Sequence, residues 1–372
     1  MTKNHTNKKG THMKKHIDLN NKTILVTGGA GFIGSHLILR LLKELKSGTI
    51  INIDNMNNYY DTKLKDYRLA QIDEAAKTAS ANYVFIKGNI ADNNLLRNTF
   101  TNYKPSIVVS LAAQSGVDYS LDHPDTFLEN NIIGFYGILQ SCRFSKVSGH
   151  PGVEHLIYAS SSSVYGANEK VPFSTGDQTD YPVSLYAATK KTDELLAYSY
   201  SKMYGLAATG LRLFSVYGPA GRPDMFYYSA AESLAKGKNV QLTNNGNNKM
   251  DYTYIDDVVE GIVRVMKNAP AKKTGEDGLP IAPYSIYNIG KGKTETQADY
   301  LKTLQEELVN AGVLTSDFDL TAHTELTAKK PEDVLEACAD VKAFEEDFGF
   351  KPETTIQEGL KKFADWYKEY NK

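Results

Sequence analysis

Only two cysteines, Cys142 and Cys338, occur in 372 residues. They are too few and too far apart for a disulfide framework or a cysteine-rich metal site, and a reducing cytoplasm fits them best. No window is apolar for long enough to span a bilayer. Residues 1–22 are polar and lysine-rich with no hydrophobic middle, so they are not a signal peptide; they read as a disordered leader outside the fold. A formal net charge of −2 offers nothing to attract nucleic acid or an anionic membrane. The eight histidines show no paired metal-ligand spacing on a helix, so no metal is expected. Internal repeats and low-complexity tracts are lacking too. What remains is an ordinary globular composition, 41% hydrophobic and 23% charged, long enough for one large or two modest domains.

The first folded segment is the β-branched run Thr23-Ile24-Leu25-Val26-Thr27, a fully buried strand by its pattern. Gly28-Gly29-Ala30-Gly31-Phe32-Ile33-Gly34 follows, and then Leu37, Ile38, Leu41, Leu42 and Leu45 at helical spacing. Strand, glycine turn and helix form the context in which glycines bind a dinucleotide. Gly28 allows the tight turn, Gly31 the approach of a pyrophosphate, and Gly34 the close packing of helix on strand. The helix start supplies free N–H groups for phosphate. Asp54 ends the next strand, Ile50–Ile53, where a carboxylate takes hydrogen bonds from a ribose and repels a 2′-phosphate; NAD is therefore expected over NADP.

Strands continue at Tyr83–Ile86, Ile107–Leu111 and His155–Ala159, with helices at Asn93–Tyr103, Thr126–Phe144 and Leu185–Tyr204. Repeated β-α units of this kind imply an α/β fold with a doubly wound parallel sheet of Rossmann type. After Leu211–Ser215, glycine, proline and asparagine crowd between short elements. The expected organisation is a dinucleotide-binding domain over 23–215 and a smaller, irregular α/β substrate lobe over 216–372, with some segments of the lobe packing back onto the first domain.

Tyr186-Ala187-Ala188-Thr189-Lys190 places a phenol and an ammonium four residues apart, on one face of a helix. A fixed cation beside a phenol favours the phenolate, which makes Tyr186 a candidate general base and acid. Upstream, Ser160-Ser161-Ser162-Ser163-Val164-Tyr165-Gly166 brings hydroxyls to the end of a strand, where parallel sheets bind ligands.

Together these stretches resemble the extended short-chain dehydrogenase/reductase superfamily, and within it the NAD-dependent epimerase/dehydratase family. The likeness covers nearly everything from Thr23 to Tyr370 and is greatest to UDP-glucuronate 4-epimerases. It implies that Tyr186 is the base, that Lys190 holds the nicotinamide ribose, and that Ser161 bonds the reacting hydroxyl. Phe32, Ile33, Asp54, Asn55, Asn89, Ile90, Leu111, Ala112, Ala113, Gln114, Asn131 and Phe214 match positions that line NAD. Ser161, Ser162, Ser163 and Ser215 match positions near a sugar carboxylate, and Arg222 a substrate-side arginine. The implied reaction interconverts UDP-glucuronate and UDP-galacturonate with tightly held NAD, for capsule polysaccharide assembly. The implied state is a cytoplasmic homodimer joined through helices to which Leu128, Ile132, Phe135, Leu195 and Tyr198 could contribute, although their periodicity equally suits a core.

Dehydratases of this family carry an Asp-Glu pair at the serine run, and decarboxylases a glutamate where Ser163 stands. Epimerases of UDP-glucose or UDP-N-acetylglucosamine, the alternative substrates, usually have asparagine in place of Ser215. A regulator that binds dinucleotide without catalysis would have lost the Ser161, Tyr186 and Lys190 set. The chain departs from the pattern at Met250, where an arginine usually meets the diphosphate, leaving that task to Arg222, Lys249 or Lys330. Asn89 replaces an adenine-facing aspartate, with an amide oxygen that still accepts. Asp118, Ala220 and Glu332 replace a common arginine, tryptophan and glycine.

Overall fold

The computed structural model describes residues 14–117, 119–147, 149–329 and 334–372. Its centre is a seven-stranded sheet. In chain order the strands are β1 (Thr23–Thr27), β2 (Thr49–Asp54), β3 (Asn82–Lys87), β4 (Ile107–Ser110), β5 (His155–Ser161), β6 (Ala208–Leu213) and β7 (Tyr284–Ile289). They lie side by side in the order β7-β6-β5-β4-β1-β2-β3, all parallel. Parallel strands are covered on both faces, which is why these segments read as apolar runs without alternation. Along β1, Ile24 and Val26 enter one core while Leu25 enters the other. Ile107 and Val109 of β4 are divided from Val108 in the same way, as a period of two requires.

Helix α1 (Phe32–Glu44) covers the first face with Leu37, Ile38, Leu41 and Leu42; α2 (Lys63–Ala76) lies beside it. On the second face pack α3 (Asn93–Tyr103), α4 (Gly134–Arg143) and α5 (Leu185–Tyr204), through Leu96, Ile138, Leu139 and Ala197. The stretch expected as one helix over Thr126–Phe144 is instead broken. A short helix at Pro124–Phe127 runs into a π-helical turn at Leu128–Ile133 before α4 begins. Of the residues considered for a subunit interface, Phe135 belongs to the core at 4% exposure, whereas Leu128, Leu195 and Tyr198 are exposed and Ile132 is half-buried.

One boundary differs from expectation. Residues 14–22 are part of the fold: Lys14–His16 pairs antiparallel with Asn268–Pro270, and Ile17 and Leu19 are buried in the core. Two apolar side chains among polar neighbours carry no periodic signal that would set this strap apart from a polar leader; residues 1–13 lie outside those described. Beyond residue 216, the chain adds α6 (Phe226–Ala235), α7 (Ile255–Met266), α8 (Gln297–Asn310), α9 (Lys342–Phe348) and α10 (Ile356–Tyr370). Two elements of this later part pack against earlier ones. β7 forms the edge of the central sheet beside β6, and α7 packs on α1.

Candidate active site

The strand order reverses between β1 and β4, and the crevice beyond their C-terminal ends is the ligand position of such sheets. A cleft of about 480 Å³ lies there. Gly28 turns the chain at φ +75, and a Cβ on it would sit 2.8 Å from the Ala112 nitrogen. Only glycine fits. The same applies to Gly34, where a Cβ would be 2.3 Å from the Gly28 carbonyl oxygen. Helix α1 starts after Gly31 with no side-chain cap and no acid in its first turn, so its free N–H groups are available to an anion at the cleft.

Asp54 is buried at the end of β2. Its Oδ2 accepts from the Ala30 N–H at 3.0 Å and its Oδ1 from the Met56 N–H at 2.8 Å. The carboxylate thus holds the glycine turn in place and keeps lone pairs for ribose hydroxyls. Asn89 lies on the same wall. Its Oδ1 accepts from the Ala91 N–H at 2.9 Å, and the second lone pair of that oxygen remains for a base.

The second wall comes from β5 and α5. The strand runs on through Ser161 before a 3₁₀ turn over Ser162–Tyr165, which splits the serine run. The Ser160 hydroxyl donates to Glu194 Oε1 at 2.7 Å, in a buried network where Glu194 also receives Arg212. Ser161 Oγ accepts from the Ser163 N–H at 3.2 Å and from the Ser163 hydroxyl at 2.8 Å, leaving its own proton free to donate. Helix α5 is capped by Ser184, which accepts from the Ala187 N–H. Tyr186 is half-buried with its ring edge-on to Phe127. Lys190 is buried, and its Nζ donates to the Ala159 carbonyl at 2.9 Å and to Asp193 Oδ2 at 3.1 Å.

The residues matched to NAD, to the sugar or to catalysis all line this one cleft except Asn131. Asn131 stands a layer behind, in the π-turn. Its Oδ1 accepts from the Gln114 N–H at 2.7 Å, and its Nδ2 donates to the Gln114 carbonyl and to Thr189 Oγ1, both at 3.0 Å. It therefore positions Gln114 on the wall. Of the cations suggested for a diphosphate, Arg222 is on the cleft. Lys249 is not; its Nζ lies 4.0 Å from Glu336 Oε2. Met250 sits in a small sheet between Glu295–Thr296 and Glu336–Ala337. Asp118, Lys330 and Glu332 lie outside the described residues.

The loop after β2 and the first turn of α2 hold residues that no sequence pattern marked. Asn57, Tyr59, Tyr60 and Lys65 all line the cleft. The Tyr59 hydroxyl donates to Asp224 Oδ2 at 3.1 Å, and burial with the Asp224 charge pushes its phenol up to about 12. Asp224 also takes two N–H groups of Arg222 at 2.9 Å each, fixing that guanidinium at the rim. Behind the loop, Arg68 of α2 is buried at 1% exposure. It donates to the carbonyls of Ala220, Ala30 and Gly221 and to the Tyr60 hydroxyl. Neither periodicity nor a motif exposes these, because their partners come from distant segments.

A doubly wound sheet with this glycine turn, a strand-end serine and a helical Tyr-Lys pair defines an extended short-chain dehydrogenase/reductase. The sequence profile described as GDP-mannose 4,6-dehydratase matches residues 25–363. The chain belongs to that family of NAD-dependent epimerases and dehydratases. It is 42% identical to Protein CapI of Staphylococcus aureus over 355 residues, 94% of this chain and 99% of the relative. Against UDP-glucuronate 4-epimerase 4 of Arabidopsis thaliana the identity is 39% over 358 residues, 94% of this chain and 76% of the relative. The solved UDP-glucuronic acid 4-epimerase of Bacillus cereus, in complex with UDP-glucuronic acid and NAD, superimposes with a TM-score of 0.76 at 26% identity, covering 94% of this chain and 99% of that one.

Proposed function

We propose that this chain is an NAD-dependent 4-epimerase interconverting UDP-glucuronate and UDP-galacturonate in the cytoplasm. The observation that carries the choice among the family's reactions is the make-up of the cleft wall. Among the described residues Asp54 is the only carboxylate lining it, and Asp54 stands at the cofactor end. Eliminating water needs an acid and a base beside the sugar; the serine run offers neutral hydroxyls instead. Such hydroxyls hydrogen-bond a sugar carboxylate without repelling it, which favours a uronic acid over UDP-glucose or UDP-N-acetylglucosamine.

The residues present fit NAD: Gly28, Gly31 and Gly34 with the open start of α1 for its pyrophosphate, Asp54 for its adenosine ribose, and Lys190 for its nicotinamide ribose. Bound NAD would accept a hydride from carbon 4 of the sugar and return it. Tyr186 takes the proton of the 4-hydroxyl and later gives it back, a role worth about 10²–10⁴-fold in rate. Ser161 donates its free proton to the same oxygen. Inversion requires the 4-keto sugar to turn over between the two proton transfers, and the neutral wall of Ser162, Ser163 and Ser215 holds the carboxylate without adding a competing base. Arg222, tethered by Asp224, meets the diphosphate side. Exposed Leu128, Leu195 and Tyr198 support a homodimer through the π-turn and α5. No helix among the described residues is long and apolar enough to cross a membrane.

Incubating the purified protein with UDP-glucuronate and no added NAD, with NMR detection, tests the reading. Galacturonate signals rising to equilibrium are expected. Conversion of UDP-glucose or UDP-N-acetylglucosamine but not UDP-glucuronate would refute the sugar, and no conversion of any with NAD bound would return the regulatory alternative.

A further inference from the structure

Tyr186, Lys190 and Asp193 stand at positions i, i+4 and i+7 of α5, along one helix face over two turns. Asp193 is 1% exposed. Its Oδ2 lies 3.1 Å from Lys190 Nζ, and its Oδ1 is buried with no hydrogen-bond partner. An unpaired oxygen on a buried carboxylate is costly, so stability alone does not account for an acid here. Neighbouring Glu194 makes the contrast, since both its oxygens are filled by Arg212 and one also by Ser160. Asp193 has only Lys190.

We propose that Asp193 is a positioning residue of the proton-transfer site, one that holds the Lys190 ammonium at the end of β5 and offsets part of the charge that Lys190 presents to Tyr186. This rests on the reading of Tyr186 as the proton carrier. The surroundings leave the pair electrically isolated. On α5 the next charge is Glu194, which Arg212 of β6 neutralises and which Lys191 approaches at 3.7 Å. Tyr158 of β5 and Tyr284 of β7 share a hydrogen bond at 2.7 Å, and burial pushes both phenols up, so neither adds a charge. From the π-turn side the residue facing this helix is Asn131, neutral and bonded to Thr189. Burial also pushes the Asp193 carboxyl up to about 7, with Lys190 pulling it down; the compensation therefore sets in as pH rises through neutrality.

Asp193→Asn keeps the shape and an acceptor for Lys190 and removes only the charge. Seven helical residues rise about 10 Å, and a unit charge at that distance in an effective dielectric of about 20 is worth roughly one pH unit. Two pH titrations are measured: kcat/KM for UDP-glucuronate, and phenolate absorbance of the holoenzyme, the latter with and without Tyr186→Phe. The acid limb of kcat/KM should move down, by up to roughly one pH unit to the extent that Asp193 is ionised there, and the phenolate step that Tyr186→Phe removes should move with it. Asp193→Ser, smaller and likewise uncharged, carries the same expectation, and either folded variant decides. A limb that stays, or moves up, while kcat or thermal stability falls would make Asp193 merely structural and overturn the proposal. A titration identical with and without Tyr186→Phe would instead sink the reading of Tyr186, and the proposal with it.

Discussion

Arg68→Met tests how the site is held together. Methionine keeps much of the length and removes the charge with every N–H donor. In the structure those donors reach the carbonyls of Ala220 at 2.9 Å, Ala30 at 3.0 Å and Gly221 at 3.0 Å, and the Tyr60 hydroxyl at 2.6 Å. Among the described residues none of these bonds goes to a carboxylate. Three buried carbonyls left without a donor cost about 1–3 kcal/mol each. Removing a buried charge returns several kcal/mol of its desolvation, so a net loss of about 3 kcal/mol is expected. With an unfolding entropy of about 2.1 cal/mol/K per residue, that is a fall in Tm of roughly 4 °C. The functional effect should be larger than this suggests. Ala30 belongs to the glycine turn, and Ala220 and Gly221 lead directly into Arg222, with Ala220 in a left-handed conformation at φ +52 that costs about 1–3 kcal/mol to maintain. Loosening both loops should lower the NAD content of the purified protein and raise KM for UDP-glucuronate about tenfold, with a smaller change in kcat. Scanning calorimetry, chromatography of NAD released on denaturation, and steady-state kinetics measure the three. Wild-type Tm, NAD content and KM together would show that Arg68 is replaceable filling.

Tyr186→Phe should lower turnover about 10²–10⁴-fold while leaving bound NAD unchanged; a parallel loss of NAD would argue that Tyr186 is structural. For Gly34→Ala, the added Cβ would lie 2.3 Å from the Gly28 carbonyl oxygen and 2.8 Å from the Gly29 Cα, both backbone, so destabilisation of about 1–3 kcal/mol and loss of NAD are expected, and a stable, NAD-loaded variant would refute the close-packing argument. His155, fully buried and paired with Thr209 Oγ1 at 2.8 Å, is pushed down to about 3 by burial. Its folded value lies below its unfolded value near 6.5, so its contribution is complete above about pH 6.5 and is lost as pH falls towards 3, at roughly 1.4 kcal/mol per pH unit. Urea unfolding at pH 7, 6 and 5 should show that slope in the wild type and a shallower one in His155→Gln; equal slopes would place the acid sensitivity elsewhere.

Much of the fold was legible because its signals are short-range. β1 and α5 lie where apolar periodicity put them, and α1 begins inside the glycine turn at Phe32, ahead of the apolar stripe. Helix α2 was not legible: Lys65 and Arg68 are among its buried positions, and charged residues facing inward blur the apolar stripe by which a helix is recognised. The π-turn escaped for a related reason. Nothing in Leu128–Ile133 departs from helical spacing, and the extra residue per turn shows in the backbone, where the Gly134 N–H donates to the Glu129 carbonyl. The strap at 14–22 gains its order from Asn268–Pro270, a partner about 250 residues away in the chain.

The amino-acid sequence alone determined the sheet, the glycine turn, the choice of an acid at the end of β2 and the Tyr186-Lys190 pair. Each depends on backbone conformation or on spacing within one element, and such geometry is written locally. Tertiary structure decided what those groups touch. Asp193 and Ala159 hold Lys190, Asp224 and Tyr59 hold Arg222, and Arg68 ties the glycine turn to a loop 152 residues further along the chain. Those contacts satisfy buried donors and acceptors that only packing brings together, and no local pattern encodes which distant carbonyl will be within reach.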